Sequence, residues 1–249
     1  MAFMQCSFSS DTLSIGVSMN VILPDPKPGQ TDRKLPTIYL LHGLSDDHTA
    51  WTRYTAIERY ARTKNVAIVM PAVNRSFYTD MASGYPYWTF VSEELPAKAR
   101  AFFPLSDKRE DTFVAGLSMG GYGAFKLALR RPDLFVAAAS LSGALDLADG
   151  PERWSRDFGY IFGQVDRIPE QDDLFRLAEK VALSDGPKPK LYQACGTEDY
   201  LYPHNQRFLA HARNVGLDVT YEEGPGLHEW SFWDSYISRV LNWLPIRSD

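Results

Sequence analysis

Two cysteines in 249 residues, Cys6 and Cys195, are too few and too far apart for a disulfide framework, and neither has zinc-ligand neighbours. Both are expected as free thiols. No apolar run approaches the roughly 18 residues that a membrane span needs, and Met1-Ala-Phe-Met-Gln-Cys-Ser has no charged segment leading into an apolar one. This excludes a membrane as partner and sets the expectation of a cytoplasmic chain. A dominant charge is missing too: 26 Lys and Arg are interleaved with 31 Asp and Glu, and no basic patch exists to hold a phosphate backbone. Nucleic acid is excluded on that ground. Repeats and low-complexity tracts are absent. What is there, 45% hydrophobic and 23% charged residues, suits one ordinary domain spanning 1–249.

Alternation in Leu13-Ser-Ile-Gly-Val-Ser-Met-Asn-Val-Ile-Leu23 has the two-residue period of a half-buried strand, stopped by Pro24, Pro26, Pro28 and Gly29. Antiparallel strands are expected at the N-terminus. After Pro36 the apolar runs lose alternation: Thr37 to Leu41, Val66 to Met70, Phe113 to Leu117, Val136 to Leu141 and Leu191 to Cys195. Such runs suit strands covered on both faces. Between them lie stretches of helical period, Trp51 to Arg62, Phe90 to Phe103, Tyr122 to Leu129 and Pro203 to Val215, the last closed by Gly216. Trp230, Trp233, Ile237, Val240, Leu241 and Leu244 form one final helical face before Pro245. The alternation predicts an α/β fold, a mostly parallel central sheet with helices on both faces. Residues from about 146 to 186 break the rhythm and read as a small lid insertion, with Asp172 and Asp173 capping a helix over Leu174 to Val181.

Gly116-Leu117-Ser118-Met119-Gly120 follows one apolar run directly and precedes a helical stretch, the strand, turn and helix setting of a nucleophile elbow. A serine hydroxyl is a poor nucleophile at neutral pH and needs a base and oxyanion donors. Ser118 is the candidate nucleophile. A phosphate loop is excluded, since the segment lacks both the Lys-Ser/Thr ending and the G-x-G-x-x-G spacing. His228, on the loop after Val219 to Glu223, holds the position of the base in the order Ser, Asp, His. His42 more readily shapes the turn after Leu41, and His48, His204 and His211 read as loop or helix-surface residues. Asp199 follows the run ending at Cys195 and is the first choice of acid, with Glu198 and Asp146 as alternatives. For the oxyanion, the amides of Met119 and Leu44 are chosen, with Gly43 as the other register. His42, Asp46, Asp47 and His48 show no metal-ligand spacing, so neither metal nor cofactor is expected.

Leu40-Leu-His-Gly-Leu44, Trp51, Phe77-Tyr-Thr-Asp80, Glu94-Leu-Pro96, Gly116 to Ala128, Ser142-Gly-Ala144, Asp199-Tyr-Leu-Tyr202 and His228-Glu-Trp230 together resemble the bacterial tributyrin esterases. These are α/β-hydrolases in the superfamily of esterase D (S-formylglutathione hydrolase), feruloyl esterases and mycolyltransferases. The resemblance covers nearly the whole chain. It implies the α/β-hydrolase fold and a carboxylesterase for short acyl chains, with Ser118, Asp199 and His228 as triad and a small-molecule ester as substrate. Gly116-Leu117-Ser118 lacks the histidine that precedes the serine in esterase D. Thioesterase, deacetylase and acyltransferase readings stay open, because the superfamily runs them on the same triad. Trp51, Tyr78, Tyr87 and Trp230 lie near the motif loops and are nominated as substrate-binding residues. Oligomeric state is open, a homo-oligomer included.

Overall fold

Aliphatic runs without polar alternation become the middle of the sheet. The computed structural model describes residues 1–25, 34–163 and 168–246. Its strands are β1 (Ala2–Ser10), β2 (Ile15–Leu23), β3 (Thr37–Leu41), β4 (Ala67–Pro71), β5 (Thr112–Leu117), β6 (Ala137–Leu141), β7 (Lys190–Gly196) and β8 (Val219–Gly224). They form one eight-stranded sheet in the order β1-β2-β4-β3-β5-β6-β7-β8. β1 pairs antiparallel with β2, and β2 antiparallel with β4, while β4, β3, β5, β6, β7 and β8 run parallel. Strands β3 to β6 are buried along their whole length, as strands covered on both faces must be. The alternation beginning at Leu13 becomes β2 only from Ile15, because Ser14 turns the chain at φ 54°. Pro26, Pro28 and Gly29, expected to stop that strand, lie outside the described residues.

The helices are α1 (Ala50–Tyr54), α2 (Ile57–Ala61), α3 (Tyr87–Thr89), α4 (Leu95–Phe102), α5 (Met119–Arg130), α6 (Gly150–Arg153), α7 (Ser155–Phe162), α8 (Leu174–Leu183), α9 (Tyr202–Asn214) and α10 (Trp230–Trp243). Alternate residues of each strand face opposite layers. Ile38, Leu40, Ile68, Phe113 and Ala115 pack with α1, α2 and α10, and Tyr39, Leu41, Val69 and Val114 pack with α4, α5, α8 and α9. None of the described helices is long and apolar enough to cross a membrane.

Two expectations change. The helical period from Trp51 to Arg62 is split at Thr55, which is extended at φ −134°. Its hydroxyl donates to Trp51 O at 2.5 Å and accepts from Ile57 N–H at 3.2 Å, while Ala56 N–H donates to Asp234 Oδ1 at 2.9 Å. The freed backbone groups thus find partners outside a helical ladder. Within 146–186, α8 buries Leu174, Leu177, Ala178 and Val181 and packs on α5 and α9. Asp173 caps α8 by accepting from the N–H groups of Phe175 and Arg176. Asp172 does not cap; it is buried against Lys126.

Candidate active site

Parallel strands leave their C-terminal ends on one edge of the sheet, and ligands in such folds bind outside that edge. Ser118 follows β5 there, Asp199 follows β7 and His228 follows β8. Ser118 holds φ 53° and ψ −118°, a conformation that a side-chain-bearing residue adopts only when its surroundings over-determine it. They do. A Cβ on Gly116 would lie 2.3 Å from Gly120 O, and one on Gly120 would lie 2.5 Å from Leu41 O. Only glycine lets strand, turn and helix close this tightly, and the closure turns the Ser118 side chain outward to a half-buried position.

The structure brings the three expected side chains into one relay. His228 Nε2 stands 2.9 Å from Ser118 Oγ, and His228 Nδ1 stands 2.8 Å from Asp199 Oδ2. With Nδ1–H donating to the carboxylate, Nε2 is left to accept the serine proton. The Asp199 carboxylate is fully enclosed and also accepts from Leu201 N–H at 2.8 Å. The alternative acids are engaged elsewhere: Glu198 accepts from Gly226 N–H at 2.6 Å, and Asp146 pairs with Arg207 at 2.6 Å. Tyr200 packs against the His228 ring at 4.6 Å with the two planes tilted by 51°, and Trp233 meets it edge-on at 4.9 Å. From the sequence neither is nominated for the site: Trp233 reads as part of the final helical face and Tyr200 as part of the motif Asp199-Tyr-Leu-Tyr202.

Beside the serine lies the turn after β3. A Cβ on Gly43 would be 3.7 Å from Ser118 Cβ and 2.9 Å from Asp46 Oδ2. Met119 opens α5, so its N–H has no acceptor one turn back, and no other described group takes it. Leu44 N–H likewise donates to no described group. Gly43 N–H faces the Asp46 carboxyl, whose pKa burial raises and that amide partly restores. His42 shapes this turn from beneath: buried, it donates from Nδ1 to Gly43 O at 2.7 Å and accepts Val73 N–H on Nε2 at 3.0 Å. Burial pushes its pKa down to about 4, so the ring is neutral.

The four nominated substrate residues divide. Trp51 is wholly buried, its indole N–H donating to Leu41 O at 3.0 Å, and Tyr78 is wholly buried with its hydroxyl donating to His42 O at 2.9 Å. Tyr87 is also buried, and its hydroxyl accepts from Asn74 Nδ2 at 2.6 Å. Trp230 is half-exposed and packs on Trp51, Tyr54 and Trp233. His204, read as a surface residue, is buried with Nε2 3.2 Å from Asp149 Oδ2. Among the described residues no cluster of three or more His, Cys, Asp or Glu could hold a metal ion, and both cysteines are free.

The family model described as "Putative esterase" matches residues 10–244. The chain belongs to that esterase family. An acetyl esterase of Caldicellulosiruptor saccharolyticus is 35% identical over the full length of both chains. Among solved structures, the fluorophosphonate-binding serine hydrolase FphF of Staphylococcus aureus superposes with a TM-score of 0.93 at 35% identity, covering 99% of each chain. The S-formylglutathione hydrolase FrmB of the same organism gives a TM-score of 0.89 at 35% identity over 98% of each. With this membership and the α/β-hydrolase fold, the protein is a serine esterase, a carboxylic ester hydrolase.

Proposed function

We propose that this esterase hydrolyses short-chain acyl esters of small alcohols through an acyl-enzyme on Ser118. The observation that carries the reading is the continuous relay from Ser118 Oγ through His228 to the enclosed Asp199 carboxylate. Ser118 Oγ attacks the carbonyl carbon as its proton passes to His228 Nε2, and Asp199 stabilises the imidazolium through Nδ1–H. The carbonyl oxygen becomes an oxyanion held by the N–H groups of Met119 and Leu44. Collapse expels the alcohol, protonated by His228, and leaves the acyl group on Ser118. Water then attacks the acyl carbon as its proton passes to His228, and collapse breaks the bond to Ser118 Oγ, which takes that proton back from His228 as the acid leaves. The acetyl esterase relative supports a small acyl group. No metal or cofactor has a step in this sequence. Small esters in the cytoplasm are the expected targets, and cell fractionation checks the location.

A second reading, hydrolysis of a small acyl thioester by the same steps, is favoured by the S-formylglutathione hydrolase relative. One set of measurements separates them. A fluorophosphonate should label one serine per chain in the wild-type protein and none in Ser118→Ala. Rates on p-nitrophenyl esters from acetyl to octanoyl should fall with chain length and should exceed rates on the matched thioesters. Faster thioester turnover would favour the second reading, and substantial acyl transfer to an added alcohol would replace both with an acyltransferase.

A further inference from the structure

Helix α5 carries a lysine where an apolar side chain would fit. Lys126 is wholly buried, and its ammonium donates to Tyr78 O at 3.0 Å and Thr79 Oγ1 at 2.7 Å and pairs with Asp172 Oδ1 at 2.5 Å. The rings of Trp88 and Tyr122 face it at 5.4 and 5.6 Å. A well-packed apolar replacement is often as stable as a buried ion pair, so fold stability alone does not explain this arrangement. What the ammonium grips suggests its task. Phe77 and Tyr78 hold φ values of 48° and 52°, a strained pair for residues with side chains. The Tyr78 ring lies against α5, where a Cβ on Gly123 would approach it to 2.4 Å. Its hydroxyl then donates to His42 O, the carbonyl directly before Gly43 and Leu44. A continuous path runs from Lys126 Nζ to Tyr78 O, along the tyrosine to its hydroxyl, and into the turn beside Ser118.

We propose that Lys126, acting through Tyr78, is a positioning residue that fixes the Leu44 amide for the oxyanion. It deepens the esterase mechanism above and rests on the role given there to Leu44. Donors aimed at a developing charge work only when held in place beforehand, and a displacement near 1 Å can cost on the order of a hundredfold in rate. Loosening one tether of the turn should therefore cost turnover while leaving ground-state binding and the histidine base alone.

The experiment compares wild type, Tyr78→Phe, Lys126→Met and the double variant on p-nitrophenyl acetate across pH, with a trifluoromethyl ketone as oxyanion-forming inhibitor. Tyr78→Phe should lower kcat about tenfold, leave KM within about twofold, and weaken the ketone by the same factor as kcat. The pH midpoint of kcat/KM, set by the base, should not move. Lys126→Met should lose at least as much kcat, and adding Tyr78→Phe to it should cost nothing further. Wild-type kcat in Tyr78→Phe, a KM rise that accounts for the loss, a shifted midpoint or multiplicative effects would each overturn the proposal. Should Lys126→Met fail to fold, Tyr78→Phe still decides through kcat, ketone affinity and pH midpoint. A wild-type protein that turned over no ester would refute the esterase mechanism, and this proposal with it.

Discussion

Stability should fall as pH drops from about 7 to 5, and much of the fall should come from His42 alone. Its ring is 1% exposed and both nitrogens are engaged, Nδ1–H by Gly43 O and Nε2 by Val73 N–H, so no acceptor remains for a second proton. Burial lowers the folded-state pKa from 6.5 to about 4. Between those values the unfolded chain binds a proton that the native state refuses. The contribution is therefore complete above the unfolded pKa and is lost as pH falls toward the folded one. At about 1.4 kcal/mol per pKa unit, the whole difference amounts to about 3 kcal/mol, of which about 2 kcal/mol is gone by pH 5. Urea unfolding at a series of pH values measures this directly, with His42→Gln as reference. The variant keeps an acceptor near Val73 N–H but cannot titrate, so it should start less stable and lose about 2 kcal/mol less over the same range. Contributions from other groups are shared by the two proteins and cancel in the difference. Parallel stability curves for the two would refute the reasoning.

Ser118→Ala should fold normally by circular dichroism yet lose on the order of 10⁴ or more in kcat on p-nitrophenyl acetate, with residual activity from the oxyanion amides. Asp199→Asn should lose a comparable factor, since His228 would present the wrong tautomer to Ser118, and proton NMR of the imidazole would report the change. Gly120→Ala places a methyl 2.5 Å from Leu41 O; thermal melts should show a destabilisation of about 1–3 kcal/mol or more. Asp173→Ala removes the cap of α8 and should cost about 1 kcal/mol in urea with no change in turnover.

How much of this was legible before the structure depends on whether the signal was local. The elbow around Ser118 is a contiguous strand, turn and helix, and its glycines announce close approach, so the pattern is readable from neighbours alone. Asp199 and His228 follow from chain order on a parallel sheet, and the sheet's central strands from their unbroken apolar runs. Trp51, Tyr78 and Tyr87 lie near motif loops in the sequence, but sequence proximity says nothing about how deeply a ring is buried. Lys126 sits in a stretch of helical period where charge ordinarily marks the exposed face, and Asp172, its partner 46 residues on, resembles a helix cap. Only the packing of α8 on α5 unites them. The split at Thr55 was invisible for the same reason, since it depends on Asp234 in the last helix.

The relay joins residues 110 positions apart in the chain, because the serine leaves β5 and its base waits beyond β8. Under the mechanism proposed above, the serine emerges during synthesis well before the base that would activate it. A nascent chain that has built most of its sheet should therefore hydrolyse esters orders of magnitude more slowly than the finished protein. On the same reasoning, full activity would arrive only as the final strand and the histidine loop dock, which would couple hydrolysis to completion of the sheet.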